Sequence, residues 1–177
     1  MMGLATMEAA PAAVALGEVK AFLRVATSDE DALIAGFVRS ASAACEAFTG
    51  LALVEREVRE TVTPGAWRRL VATPVRAIEA VAALAADGAE TALAGDAYRI
   101  DIDAAGDGWV RVTGSDRRAR VTYNAGLAAD WNGLPEPLRQ GIVRLAAHLY
   151  AVRGEAVAAP PACVAALWRP WRRLRLR

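Results

Sequence analysis

Four segments of the chain carry apolar residues at the 3.6-residue period of an amphipathic helix. They predict helices near 16–25, 29–49, 136–153 and 162–168. Phe22 belongs to the apolar stripe of the first helix, and Leu33 to that of the second. Ser28 is the expected N-cap of the second helix, and Gly50 its expected end.

Between these helices the apolar period changes to two, which is typical of strands. The clearest case is Ala97–Ile102, where Tyr98, Ile100 and Ile102 fall on one face. Ile78–Ala86 is rich in alanine and ambiguous, but the Asp87-Gly88 turn signal after it favours a strand. The other predicted strands are Val54–Val62, Trp67–Ala72, Trp109–Thr113 and Arg118–Tyr123.

The order of these elements predicts an α+β fold. Each helix has one apolar stripe, so the first and last helices must share a core. We therefore expect a small helical bundle (13–50 plus 134–168) with an inserted antiparallel β unit (52–126). Residues 1–12 are expected to be loosely ordered, and residues 169–177 form a basic C-terminal tail.

The composition is 55 % hydrophobic, yet alanine supplies 42 of the 177 residues. The longest charge-free run, Ala156–Trp168, contains two prolines and is shorter than the ~20 residues of a bilayer span. No basic residue precedes Lys20, so the start lacks the character of a signal peptide. These features predict a soluble, intracellular protein.

No pattern in the chain indicates catalysis. His148 is the only histidine, which excludes a metal site built from several histidines of one chain. Cys45 and Cys163 are far apart and are expected to be buried and reduced. Asp101 and Asp103 are expected at the outward positions of a strand, and Asp107-Gly108 in a turn; their spacing does not match an EF-hand. We expect no catalytic, cofactor-binding or metal-binding residue, and no enzyme.

The chain has a net charge of +1, but no acidic residue follows Glu155, and 169–177 contain five arginines. Tryptophan and arginine are the types that dominate interface hot spots. Three interpretations of the tail compete: a solvated end, a nucleic-acid-binding arm, and a segment that docks into an acidic groove on a protein. Its tryptophans and arginines favour docking, with nucleic-acid binding second. The predicted partner-binding residues are Trp168, Arg169, Trp171, Arg172, Arg173, Leu174, Arg175, Leu176 and Arg177.

Several segments, in order along the chain, resemble the head–tail connector (adaptor) family of tailed bacteriophages, including the adaptors of alphaproteobacterial gene transfer agents. The resemblance rests on LGEVKAFLRV, DEDALIAGFVRSASAACEAFTG, ATPVRAIEAV, AYRIDI, RVTYNAG, LPEPLRQGIVRLAAHLYAVRG and WRPWRRLRL. None of these segments is a catalytic signature.

The resemblance implies a ring, commonly of twelve subunits, between the portal and the tail of the particle. Such a ring extends the DNA channel without binding DNA specifically and docks the next tail component. Its partners are further copies of itself, the portal and a downstream tail or stopper component, with no cofactor and no membrane. We expect the tail to be the anchor on the portal, so that deleting 168–177 leaves the monomer folded but abolishes portal binding.

Overall fold

The structure, a computed structural model, describes residues 5–7, 13–113, 118–152 and 160–173. Within these ranges, four α-helices and antiparallel sheets confirm the predicted α+β class. Contacts divide the chain into two compact units. The β unit holds the first strand and residues 54–127, and the helical unit holds the segments before and after them. None of the described helices is both long and apolar enough to cross a membrane.

The helical unit is assembled around one central helix. Its helices are α1 (Ala13–Leu23), α2 (Asp31–Thr49), α3 (Glu136–Ala151) and α4 (Ala162–Trp168), and α4 continues into a 3-10 turn (Arg169–Trp171). Helix α3 contacts the other three, so the apolar stripes meet in one core. The largest fully buried side chains of this core are Val19, Ile34, Leu138, Ile142, Val164 and Trp168.

The helix ends show where local signals succeed and fail. Gly50 adopts the left-handed conformation (φ 73°) and ends α2 as predicted. Ser28 is not a side-chain cap: its carbonyl accepts the Asp31 N–H, and α2 begins at Asp31. Helix α1 ends before its predicted limit because Arg24 adopts a positive φ of 59°. Phe22 and Leu33, predicted on apolar stripes, are exposed.

The β unit contains two antiparallel sheets. One has the order β1-β2-β8-β4-β5 and the other β3-β7-β6. The strand at the centre of the first sheet, β8, buries every second residue along its length, which is the pattern of a strand covered on one face. The strands are β1 (Ala5–Met7), β2 (Arg56–Val62), β3 (Arg68–Arg69), β4 (Val75–Leu84), β5 (Glu90–Ala92), β6 (Tyr98–Ile102), β7 (Gly108–Val112) and β8 (Ala119–Ala125).

Three strand predictions need correction. Residues 5–7 lie in the segment expected to be loosely ordered, but they pair with β2, from Ala5↔Glu60 to Met7↔Val58. Strand β5 was not predicted by any pattern in the sequence. The strand expected over Trp67–Ala72 shrinks to two residues, because side chains, not a neighbouring strand, accept the N–H groups of Val71 and Ala72.

Candidate partner-binding site at the C-terminal tail

Trp168 is the largest fully buried side chain of the chain's described residues. Its indole packs at 5.8 Å from the Phe48 ring, and its Nε1 lies 3.4 Å from the Leu138 carbonyl oxygen. Gly141 of α3 makes room for it, since a Cβ there would lie 2.1 Å from Nε1. The structure thus makes Trp168 a core residue of the helical unit and leaves it no surface for a partner. Deleting it would damage the fold, contrary to the expectation from the sequence.

The chain after Trp168 stays attached to the helical unit as far as Arg173. The Arg173 N–H donates to the Thr49 carbonyl oxygen at 2.8 Å, at the C-terminal end of α2. The Arg172 guanidinium lies 5.7 Å from the centre of the Phe48 ring, within the range of a cation–π contact. Because a helix C-terminus carries partial negative charge, it suits two arginines beside it. The contacts of Arg172 and Arg173 therefore hold this part of the tail against the C-terminal end of α2.

The predicted docking residues fall into three groups. Trp168 is buried in the core. Arg169 and Arg172 are exposed, and Trp171 and Arg173 are half-buried beside them. Leu174, Arg175, Leu176 and Arg177 lie outside the described residues, so their role in docking stays a prediction. The structure brings together a surface of two exposed guanidinium groups next to one indole.

This surface can bind anionic groups, but it contains no nucleophile or general base. Guanidinium forms paired hydrogen bonds with carboxylate and phosphate and stacks on aromatic rings. In the described ranges, no group of three or more potential metal ligands is found. Cys163 is exposed on α4, which corrects the expectation that both thiols are buried. Cys45 is buried, and burial raises the pKa of its thiol to about 12.

The β unit contains a buried carboxylate, Glu60, that no motif in the sequence marks as a candidate. Glu60 on β2 accepts hydrogen bonds from the Tyr123 O–H and the Val71 N–H, both at 2.9 Å. Burial raises the pKa of Glu60, and these two hydrogen bonds offset part of the rise. The Tyr123 oxygen in turn accepts the Ala72 N–H at 3.1 Å. The group fixes the connection between β3 and β4; its one signal in the sequence is an acid at an inward strand position.

Asp103 and Asp107 serve the β6–β7 turn. The turn at Asp107 was predicted, whereas Asp103 was expected at an outward strand position and instead follows the end of β6. The Asp103 carboxylate accepts the N–H groups of Ala105 and Asp107 at 2.9 Å and the Trp109 Nε1–H at 3.2 Å. Asp107 pairs with Arg69 at 2.8 Å and accepts the Thr73 hydroxyl. These hydrogen bonds and this ion pair give the Asp103 and Asp107 carboxylates a role in holding the turn.

Comparison with known proteins identifies the fold and the family. Residues 14–91 match the family model described as "Phage gp6-like head-tail connector protein". No curated protein sequence matches the chain significantly. Among solved structures, a chain of "Neck of empty GTA particle computed with C6 symmetry" is 29 % identical, with a TM-score of 0.80 over 98 % of this chain and 97 % of that one.

Two further structures match over the same extent. A chain of "Virion of native gene transfer agent (GTA) particle" is 30 % identical, with a TM-score of 0.78 over 98 % of this chain and 97 % of that one. A chain of "Neck of native GTA particle computed with C12 symmetry" is 31 % identical, with a TM-score of 0.75 over 100 % of this chain and 98 % of that one. The chain therefore belongs to the head–tail connector family, whose members are structural proteins of the virion neck and not enzymes.

Proposed function

We propose that the chain is a structural adaptor that assembles as a ring of twelve copies between the portal and the tail of a phage or gene transfer agent particle. The observation that carries the proposal is its similarity, over 100 % of its length, to a chain in a particle neck with C12 symmetry. The ring extends the DNA channel and presents a docking surface to the next tail component.

The charge distribution supports a channel through which DNA passes without being held. The tail contains five of the 21 basic residues, so the rest of the chain has 16 basic and 20 acidic residues and a formal charge of −4. An acidic body repels phosphates, whereas a DNA-binding surface is basic. The positive charge is concentrated at the tail, which favours contact with a separate acidic partner.

We assign portal contact to the tail beyond Trp168. The backbone contact of Arg173 with α2 holds the chain against the helical unit at that residue, and the exposed Arg169 and Arg172 lie just before it. The matching surface on the portal is a groove lined with carboxylates, because guanidinium pairs with them in a defined geometry.

Ring formation is tested by negative-stain imaging and native mass spectrometry of the protein with and without purified portal. We expect twelvefold rings that bind end-on to the portal. A protein that stays monomeric even with portal present would refute the adaptor proposal.

The tail is tested in a pull-down with purified portal, using two variants. One ends at Arg173, and the other carries Arg169→Glu and Arg172→Glu. Both should fold, because the altered side chains are exposed or lie beyond the anchored residues, and both should lose portal binding. Arg144→Glu, an exposed arginine on α3, is the matched control and should bind normally. Equal binding by all three would refute the assignment to the tail.

The same proteins test nucleic-acid binding by the tail. That function predicts duplex binding at low salt that weakens steeply as salt rises, with a slope set by about five arginines. Loss of portal binding without any duplex binding would leave the protein–protein contact as the role of the tail.

A further inference from the structure

The outward face of the second sheet carries two arginines directly opposite each other. Arg99 on β6 pairs with Arg111 on β7, so their side chains start on the same face, with Cβ atoms about 5 Å apart. Val110, the neighbour of Arg111 along β7, is buried, which places Arg111 on the outward side of the sheet. Like charges in such positions destabilise a pair of strands. The arrangement therefore favours an anionic group supplied from outside the chain.

Backbone carbonyl groups, and not carboxylates, hold the two guanidinium groups. The Arg111 Nε–H donates to the Gly65 carbonyl oxygen at 3.1 Å. One terminal nitrogen of Arg99 donates to the carbonyl oxygens of residues 95, 96 and 98 at 3.3, 3.4 and 2.9 Å. Within the described part of the chain, neither arginine forms an ion pair. A guanidinium group has further N–H donors, so both remain able to bind a carboxylate while their positions are restrained.

Both guanidinium groups lie at the same end of this sheet. The Gly65 N–H donates to the Val112 carbonyl oxygen at 3.0 Å, and the Thr113 N–H donates to the Ala97 carbonyl oxygen at 2.8 Å. The loop before β3 and the turn before β6 therefore flank one end of β7. These two segments supply the carbonyl groups that hold the arginines, so the two positive charges are brought to that end together.

An exposed indole belongs to the same face. Arg69 on β3 pairs with Trp109 on β7, which lies two residues from Arg111 and so on the same side of the sheet. Trp67 precedes Arg69 by two positions, so alternation places it on this outward face, and its side chain is 44 % exposed. We call Trp67, Arg99 and Arg111 the outer row. Tryptophan and arginine are the residue types most enriched in binding hot spots.

The carboxylates around this face decide the kind of partner. Asp103 and Asp107 are already bound within the β6–β7 turn. Asp96 and Asp101 are exposed, and they form no ion pair in the described ranges, so they balance the charge of the two arginines. Nucleic acid, a polyanion, needs a surplus of positive charge, which this face lacks. A protein surface with side chains of both signs matches it, and an apolar side chain of that protein can pack on the indole.

We propose that the outer row is a docking surface for a protein of the tail side of the particle, whose carboxylates pair with Arg99 and Arg111. This inference rests on the proposed adaptor function. An adaptor needs separate surfaces for the portal and for the next tail component, and the surface assigned to the portal belongs to the helical unit. The outer row belongs to the β unit. Paired hydrogen bonds between guanidinium and carboxylate give such a contact a defined geometry.

Charge reversal with a matched control tests the contact. Arg99→Glu with Arg111→Glu is compared with Arg68→Glu with Arg118→Glu, which reverses the same number of exposed positive charges elsewhere in the β unit. Arg68 pairs with Val110, so its side chain starts on the other face of the second sheet. Circular dichroism, ring formation and portal binding should match wild type for both double variants.

The assay is sedimentation of rings bound to portal with purified tails of the same particle, followed by negative-stain imaging. Arg99→Glu with Arg111→Glu should lower the fraction of complexes that carry a tail by at least about tenfold, because the partner's carboxylates then face carboxylates. Trp67→Ala should lower the same fraction without any change of charge. The variant with Arg68→Glu and Arg118→Glu should bind tails as wild type does.

Each other occupant of the outer row gives a different result that overturns the inference. Loss of rings in the Arg99/Arg111 variant alone would assign the surface to a neighbouring copy, and loss of portal binding with intact rings would assign it to the portal. Duplex binding by wild type that is lost in this variant would indicate nucleic acid.

The remaining outcomes separate this inference from the proposed function. Equal binding of tails by the two double variants, or wild-type rings on portal that bind no tails, overturns the inference and leaves the ring and its portal contact intact. Wild-type protein that forms no rings even with portal overturns both.

Discussion

Replacing Gly141 with alanine tests the core packing of the tail's anchor. A Cβ at this position would lie 2.1 Å from the Trp168 Nε1, well inside the ~3.5 Å of ordinary contact, so the buried indole must move by more than 1 Å. Overpacking of this kind costs about 3 kcal/mol. The gain in helix propensity from glycine to alanine returns about 1 kcal/mol. Gly141→Ala should therefore lower the free energy of unfolding by about 2 kcal/mol net.

The matched control is Gly36→Ala on α2. Its Cβ would meet nothing closer than an arginine side-chain nitrogen at 3.8 Å, so only the propensity gain of about 1 kcal/mol remains and the protein should become more stable. Urea unfolding followed by far-UV circular dichroism, at one protein concentration, gives both values. Equal effects of the two substitutions would refute the packing of Trp168 against Gly141. A Trp168→Leu change should cost less in the Gly141→Ala background than in wild type, because the steric conflict is already present there.

Three further predictions concern other parts of the chain. Truncation after Arg173 should leave the unfolding free energy nearly unchanged, whereas truncation before Trp168 should lower it by about 3–5 kcal/mol, measured by urea unfolding. Glu60 has a folded-state pKa raised by burial, so the folded form binds its proton more tightly than the unfolded form does and wild-type stability falls as pH rises from 4.5. Glu60→Gln removes this pH dependence, so the unfolding free energy of the variant should rise relative to that of wild type as pH increases from 4.5. A difference between the two proteins that stays constant across pH would contradict the raised pKa of Glu60. A thiol reagent should label only Cys163 in the native unassembled protein, because Cys45 is buried with a pKa of about 12, and both cysteines in urea; labelling of two thiols in the native state would contradict the burial.

The local pattern of the sequence was sufficient for most elements. The 16–25, 29–49, 136–153 and 162–168 predictions each correspond to one helix, and the ambiguous Ile78–Ala86 segment is part of strand β4. Amphipathic period and turn residues act over a few positions, so they are readable without the fold. The failures have a different origin. Strand β1 forms because β2 offers it an edge, and Val71 and Ala72 leave the ladder because Glu60 and Tyr123 take their N–H groups.

The sequence located the candidate site, but the structure assigned its residues to different roles. Composition identified the Trp/Arg tail, but it does not distinguish a tryptophan that packs in the core from one that binds a partner. That distinction depends on Gly141, 27 residues earlier, which leaves the space that the Trp168 indole fills. Phe22 and Leu33, which the helical pattern placed in the core, are exposed in the structure.

The sequence by itself determined the α+β class, the helix and strand segments, the separation of an acidic body from a basic tail, and the family resemblance. These features depend on the order of residues along the chain and on their chemistry. Only the tertiary structure decided which apolar residues the chain covers for itself and which it leaves exposed. Burial depends on which distant segment supplies the opposing surface: Trp168 has Gly141 and Phe48, whereas Ile100, Ile102, Phe22 and Leu33 remain exposed within a single copy.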